Sequence, residues 1–164
     1  MGTTLVYTVY EYDALHRMTR ETAPGNRVRT VSYNGLIQTI TNPNGQQLIE
    51  KRDAFGNLVQ TTNHLGDHTY QSYDSFDNLV KIRDGKGTET HMQFDLLGRK
   101  TQIQDPNAGL ILYSYNSFNE MVSETNARNQ TTTFRYDKLG RMTQRVEPEG
   151  TTTWTYDIGN KAKS

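Results

Sequence analysis

The chain has 164 residues, of which 33% are hydrophobic, and its 18 basic residues balance its 18 acidic ones. A neutral chain without a long apolar run offers nothing to a phosphate backbone or a bilayer, so we expect neither nucleic-acid binding nor membrane insertion. Ten tyrosines and five phenylalanines exclude the aromatic-poor composition of disordered chains and favour a β-rich protein, while the absence of cysteine excludes thiol chemistry.

An aromatic residue followed by Asp or Asn recurs along the whole chain. Successive anchors of this kind lie 19 to 21 residues apart, and Arg52 takes the place of the aromatic in one of them. Such regular spacing predicts that residues 1–164 form a single array of about seven tandem repeats. The anchors are Tyr12, Tyr33, Arg52, Tyr73, Phe94, Tyr115, Tyr136 and Tyr156.

The residues after each anchor predict a turn between two strands. In the first repeat Leu15 is followed by His16, and in later repeats an apolar residue precedes Gly, Asn or Asp, all of which tolerate positive φ. An apolar pattern then restarts, which is typical of strand, connection and strand. The second repeat is shorter, and we expect Asn34-Gly35 to be its two-residue hairpin connection.

A second turn closes each repeat about ten residues later, with Pro and Gly in sequences such as the one from Asn42 to Gly45. Each repeat therefore contributes two strands of about 5 to 7 residues, roughly 14 or 15 strands in all. We predict an all-β fold of tandem antiparallel β-hairpins in a long sheet. Right-handed twist should make so wide a sheet curl or spiral, and no window predicts helix.

Two positions before the anchor, most repeats carry a large apolar or aromatic residue, whereas the next position is polar. Period-2 alternation of this kind predicts one aromatic face and one polar face. The aromatic row could pack against the next coil of the sheet. If it is exposed, it could form a ligand platform that stacks on sugars or holds an unfolded polypeptide. The candidate platform residues are Tyr10, Tyr113, Phe134 and Trp154.

Residues 94–100 and 136–142 are close to the pattern Tyr-Asp, two variable residues, Gly-Arg and an apolar residue. They resemble the YD repeats of RHS proteins, and the resemblance runs from about residue 7 to residue 160. That family includes bacterial polymorphic toxins, the B and C subunits of insecticidal toxin complexes, and animal teneurins. The resemblance implies a sheet that spirals into a hollow shell.

The function that this resemblance implies is structural and non-enzymatic. The chain would be a wall segment of a shell that encloses or presents a toxin or effector domain, in an exported or cell-surface parent protein. Its partners would be the remainder of the shell and the enclosed domain. A cell-surface adhesion or carbohydrate-binding module, with glycans as partners of the aromatic face, is the alternative. No secretory signal is recognisable in this chain.

Several features of complete RHS proteins are missing from the sequence. There is neither a variable toxin domain nor the core segment with its Asp-Pro-x-Gly-Leu cleavage motif. The sequence from Asp105 to Leu110 is similar but carries one extra residue, and its register indicates an ordinary turn between repeats. Because residues 157–160 lie part-way into another repeat, we expect a fragment whose exposed terminal strands can self-associate edge to edge.

The remaining chemical candidates have structural explanations. His64 and His68 have a zinc-like spacing but flank a predicted turn, so we expect solvated histidines. The repeated Asp and Asn could suggest calcium, yet Asx turns, in which the side chain binds its own backbone amides, explain them better. Two acids from different repeats could meet in a glycan-cleaving enzyme, a remote alternative. We therefore expect no cofactor, no metal and no catalytic residue.

Overall fold

The computed structural model describes residues 7–156. These residues form fifteen β-strands and no helix, which confirms the prediction of an all-β array of antiparallel hairpins. No helix long and apolar enough to cross a membrane occurs among them. Residues 157–160, on which the expectation of a fragment rests, lie outside the described range. The chain divides into two compact units, Met1–Thr88 and Glu89–Ser164.

The described residues of the first unit form eight strands, and consecutive strands within the unit pair antiparallel. They are β1 (Val9–Tyr12), β2 (Met18–Ala23), β3 (Arg27–Asn34), β4 (Ile37–Thr41), β5 (Gln47–Arg52), β6 (Leu58–Thr62), β7 (His68–Tyr73) and β8 (Leu79–Asp84).

The second unit contains seven strands with the same sequential antiparallel pairing. They are β9 (Glu89–Phe94), β10 (Lys100–Asp105), β11 (Gly109–Tyr115), β12 (Met121–Thr125), β13 (Thr131–Tyr136), β14 (Met142–Glu147) and β15 (Gly150–Thr153).

Six of the eight anchors end the first strand of their hairpin, and a β-bulge lies at each of these six. Glu11 pairs with Arg20 whereas Tyr12 pairs with Met18, so one extra residue is accommodated on β2. A bulge increases local twist and re-aims the side chains beside it. The Tyr33 repeat has no bulge, because its shorter connection keeps the pairing regular from Thr30 to Asn34.

The structure corrects the position of that shorter connection. Asn34 is the last residue of β3 and pairs with Ile37, so the turn residues are Gly35 and Leu36 rather than Asn34-Gly35. Gly35 has a φ of +58° and stands at the first central position, where a type II′ hairpin turn prefers glycine. Because the turn starts one residue later, β3 reaches eight residues, longer than the 5 to 7 expected.

Two other turn expectations are confirmed. His16, Asp77 and Asn119 adopt φ values of +59°, +62° and +67° at the position where most other repeats have glycine. The sequence after Asp105 is a turn, because Asp105 pairs with Gly109 at the end of a hairpin. It therefore occupies the ordinary position of a connection between repeats.

Each unit is a thin sheet with very little core. Val31 and Met92, both two positions before an anchor, are the buried hydrophobic residues among residues 7–156, at 4% and 8% exposure. Strands within a unit contact only their neighbours in chain order. Ladder hydrogen bonds, cross-strand pairs and turn contacts must therefore supply the stability that a core gives other folds.

Candidate functional site

The anchor tyrosines join each repeat to the preceding one. The Tyr33 hydroxyl donates a 3.0 Å hydrogen bond to the carbonyl oxygen of Met18, at the start of the neighbouring strand. Such a bond ties the end of one strand to the bulged start of the strand before it. The same bond joins Tyr73 to Leu58, Tyr115 to Lys100, Tyr136 to Met121 and Tyr156 to Met142, at 2.8 to 3.0 Å.

The other three anchors depart from this arrangement. Tyr12 lies in the first described strand and is 60% exposed. Phe94 has no hydroxyl, and the Lys100 ammonium lies 6.0 Å from its ring centroid. Arg52 donates from Nη1 to the carbonyl oxygen of Gly56, within its own turn. The anchor position thus remains a contact point even where tyrosine is replaced.

An acid or amide organises most anchor turns and several of the turns between repeats. Asp137 Oδ1 accepts hydrogen bonds from the amides of Leu139 and Arg141, at 2.8 and 3.0 Å. These are the Asx-turn contacts that the sequence predicts, and they occupy an oxygen that a calcium site would need. The same pair of contacts occurs at Asp13, Asn42, Asp53, Asn63, Asp74, Asp84, Asp95, Asn116 and Asn126.

These contacts also affect the titration of the carboxylates. A hydrogen bond from the Arg17 amide is the main reason that the pKa of Asp13 lies below its ordinary value. For Asp95 the largest contribution comes from the Arg99 side chain, which likewise lowers the pKa. Both turns are therefore organised around an ionised acid.

In three repeats an arginine connects the turn acid to the next anchor. Arg17 donates from Nε to Asp13 Oδ2 at 2.8 Å, and its guanidinium carbon lies 4.2 Å from the centroid of the Tyr33 ring. We call this arrangement the Asp–Arg–Tyr unit. It combines an ion pair with a cation–π contact across the boundary between repeats. The other two units are Asp95–Arg99–Tyr115 and Asp137–Arg141–Tyr156.

This unit was not predicted from the sequence, although its positions recur there. Gly-Arg is part of the repeat pattern, but the pattern alone gives the arginine no partner. In each unit the arginine stands four residues after the acid and 15 or 16 before the tyrosine that it covers. Only the pairing register brings those positions together.

Repeats without the arginine keep one donor and one acceptor at the same two positions. Asn78 donates from Nδ2 to Asp74 Oδ2 at 2.9 Å. At the next such turn the direction is reversed, because Asn116 donates from Nδ2 to Glu120 Oε2 at 2.6 Å. The turn therefore forms with different charges at these two positions. The cation–π contact with the next anchor tyrosine, in contrast, requires the arginine.

The candidate platform residues lie on strands of both units. Tyr10 is on β1 of the first unit and is 49% exposed, and Trp154 directly follows β15 and is 38% exposed. Tyr113 and Phe134 are half-buried on β11 and β13. Three of the four face a charged residue on the neighbouring strand, namely Glu21 for Tyr10, Glu124 for Tyr113 and Arg145 for Phe134.

Within the second unit, Tyr113 and Phe134 do not form one continuous aromatic surface. Tyr113 and Phe134 are separated by β12. Burial, and then Glu124, raises the pKa of the Tyr113 hydroxyl. Tyr113 is therefore an aromatic residue with a charged neighbour and is not part of an uninterrupted aromatic row.

A groove of about 740 Å³ opens in the second unit between two consecutive anchor turns. Phe134 and Tyr136 line it on β13, together with Val122 on β12 and Phe118 in the turn before β12. Glu120 places a carboxylate among these apolar groups. Sequence reasoning selected Phe134 and Tyr136 for other roles and did not identify Phe118 or Glu120.

Neither the pair His64 and His68 nor the acidic side chains form a cluster that could hold a metal ion in the described range. His68 Nδ1 lies 2.9 Å from Thr62 Oγ1, and His64 is exposed in its turn. No group of three or more His, Asp or Glu side chains within residues 7–156 could hold a metal ion.

Comparison with known proteins gives one family and one group of similar folds. The model of the RHS Repeat family matches residues 52–89, 73–110 and 115–152, more than half of the chain. The crystal structure of TcdB2-TccC3-Cdc42 superposes with a TM-score of 0.74 at 15% identity, covering 89% of this chain and 9% of that one. The Photorhabdus luminescens Tc holotoxin pore superposes with a TM-score of 0.71 at 15% identity, with the same coverage.

At this identity the two structures establish similarity of fold alone. The chain spans less than a tenth of the length of the proteins that it matches. No curated protein sequence matches it.

Proposed function

This chain belongs to the RHS-repeat family, and on that premise we propose that it is a non-enzymatic segment of a shell wall that encloses or presents a toxin or effector domain. Residues 1–164 would act as one array, joined to the remainder of the shell in an exported or cell-surface parent protein. The observation that carries the proposal is the thin sheet in which strands contact only their chain neighbours, because such a sheet divides space without needing a core of its own.

Cross-strand pairs of hydroxyl groups on one face of the second unit's sheet also support the proposed role as a shell wall. Ser114 and Ser123 face each other across β11 and β12 with a 2.6 Å contact between their hydroxyl oxygens. Thr125 and Thr131 make a similar 2.9 Å contact between β12 and β13. These hydroxyl pairs reduce the apolar area of this face, on which Leu110 and Leu112 are also exposed, so a domain lying against it would meet a mixed and not a wholly apolar surface.

Two experiments on the parent gene product test the shell proposal. Sequencing of the flanking gene should find further repeats of this family followed by a downstream domain of a different composition. Limited proteolysis of the full-length product should spare that domain while the wall is folded. A parent without further repeats, or a downstream domain digested as fast as the same domain alone, would contradict the proposal.

A carbohydrate-binding or adhesion role is the second candidate, and the exposure of Tyr10 and Trp154 favours it. Exposed aromatic rings can stack on the apolar faces of sugars. A glycan array tests it directly. Binding that is lost in Trp154→Ala and Tyr113→Ala but retained in Phe55→Ala, which removes an exposed turn aromatic, would support the second candidate. Absence of glycan binding would leave the wall as the better account.

Self-association is also a proposed property. Among the described residues β15 pairs on one side only, with β14, and an unpaired edge can accept a strand from another chain. Sedimentation velocity of the purified chain should then show concentration-dependent oligomers. A strict monomer at all concentrations would contradict this property and leave the wall proposal untouched.

A further inference from the structure

The repeat that begins at Tyr115 lacks the arginine of the Asp–Arg–Tyr unit. In the complete units Arg17, Arg99 and Arg141 stand four residues after the turn acid and cover the next anchor ring. The corresponding residue here is Glu120, four residues after Asn116 and sixteen before Tyr136. A guanidinium is thus replaced by a carboxylate at the position from which the ring is covered.

The space that the arginine would occupy is part of the 740 Å³ groove. Tyr136, Phe134 and Phe118 line this groove, and within residues 7–156 no side-chain cation lies over the Tyr136 ring. Tyr136 lines the groove, and because its hydroxyl already donates to the Met121 carbonyl oxygen, the ring is the part of the side chain left for a further contact. The aromatic half of a cation–π contact is therefore present without its cation.

The carboxylate that such a cation would need is also present. Glu120 Oε2 accepts the hydrogen bond from Asn116, and Oε1 lies near the next turn, 3.4 Å from where a Cβ on Gly140 would stand. Neither oxygen has an ion-pair partner among the described residues. Asp137, the other acid of the groove, is paired with Arg141. Of the two acids in the groove, Glu120 is therefore the one that can accept a further hydrogen bond or form an ion pair.

We propose that the groove formed by Glu120, Phe118, Phe134 and Tyr136 binds an arginine side chain of a partner polypeptide. Its guanidinium would lie over the Tyr136 ring and pair with Glu120, as the chain's own arginines do with an anchor ring and a turn acid. The stem of the incoming arginine would pack on Phe118, which is 82% exposed. This site is independent of whether the chain is part of a shell.

The charges around the groove specify the partner further. Arg135 and Lys138 also line it and are exposed. They disfavour a cluster of cations and favour an arginine that has an acidic neighbour in sequence. Guanidinium is preferred to ammonium because its flat, weakly hydrated face stacks on an aromatic ring.

The test uses the whole chain and blocked tripeptides of sequence Gly-Arg-Glu, with citrulline or lysine in place of arginine as matched probes. Nuclear magnetic resonance titration should show saturable shifts at Glu120, Tyr136 and Phe118 with the arginine peptide. The citrulline peptide, which has the same shape without the charge, should bind about tenfold more weakly. Equal binding of arginine and citrulline peptides, or no saturable shift at the groove, would overturn the proposal. Equal binding of the lysine peptide would overturn the assignment to guanidinium.

Two variants extend the test. Glu120→Gln should weaken the arginine peptide about fivefold, whereas Glu124→Gln, which removes the same charge outside the groove, should not. The double variant Asn116→Asp with Glu120→Arg rebuilds an Asp–Arg–Tyr unit and should abolish binding, because the chain's own guanidinium then fills the site. Retained affinity in either Glu120 variant, with the β-sheet spectrum intact, would contradict the proposal.

Discussion

The guanidinium carbon of Arg99 lies 4.8 Å from the centroid of the Tyr115 ring, which belongs to the following repeat. The same guanidinium binds Asp95 in its own turn and donates from Nη1 to the carbonyl oxygen of Asn116. One side chain therefore links a turn, the next anchor and the backbone beyond that anchor. In a sheet without a core, such links between repeats determine how strongly neighbours cooperate.

Removal of that arginine should destabilise the second unit. Arg99→Ala loses the ion pair, the cation–π contact and a hydrogen bond to a backbone oxygen, so we expect a loss of about 1 to 2 kcal/mol in the free energy of unfolding. Urea denaturation measures it. Arg128→Ala, which removes an exposed arginine from a turn between repeats, is the control and should change stability little. Equal effects of the two variants would show that the contacts of Arg99 add nothing.

The anchor hydroxyl should make its own contribution. Tyr136→Phe keeps the ring but removes the 2.8 Å hydrogen bond to the Met121 carbonyl oxygen. We expect a loss of about 1 kcal/mol in the free energy of unfolding. Tyr10→Phe, which alters an exposed tyrosine that is not itself an anchor, serves as the comparison. If the melting temperatures of the two variants fall by the same amount, the hydroxyl bond does not join the repeats.

The energetic cost of a side chain at a position of positive φ can be measured separately from the cost of lost side-chain contacts. A Cβ on Gly56 meets nothing within 4 Å, but its φ is +94°, so Gly56→Ala should cost about 1 to 2 kcal/mol through backbone strain. Gly150 is equally free of neighbours and has no positive φ of this kind. Gly150→Ala should therefore be nearly neutral in the same thermal unfolding experiment. A reversed order would contradict the assigned turn geometry.

Stability should depend on pH through the turn acids. The pKa values of Asp13 and Asp95 are lower in the folded chain than their ordinary value of 3.8, so the folded state binds fewer protons than the unfolded state near pH 4. Their stabilising contribution is present above that value and is lost as the pH falls through the lower folded pKa.

The corresponding variant is Asp95→Asn, which keeps an Oδ1 acceptor as Asn116 does but removes the charge. We expect it to flatten the fall in the free energy of unfolding between neutral and acidic pH. Glu149→Gln, at an exposed turn, is the control and should leave the slope unchanged. An unchanged slope in Asp95→Asn would show that the Asp95 carboxylate has the same pKa in both states.

Three features could be predicted from the sequence: the repeat, the number of strands and the positive φ at His16. Each depends on residues that lie close together in the chain. The connection after Tyr33 is displaced by one residue, since Asn-Gly suggests a turn without fixing which residues pair last. The Asp–Arg–Tyr unit depends on strand register and on a bulge that re-aims the arginine. The spacing of the three residues can be read from the sequence, but the contact between them cannot.

The candidate site was predictable in part for a similar reason. Phe134 was identified from period-2 alternation, which determines the face of the sheet but not what lies beside it. Glu120 stands in the groove at the position that is arginine in three other repeats, and the importance of this replacement becomes clear only once the neighbouring contacts are known. The exposure of Phe118 likewise follows from its place at the tip of the turn and not from its apolar character.

The central claim is that this chain is a strip of wall, and an electron cryo-microscopy map of the full-length parent protein tests it most directly. The account predicts that the sheet of each unit, β1–β8 and β9–β15, lies against internal density for another domain. A map in which this strip extends freely, with both faces in solvent and nothing enclosed, would contradict it.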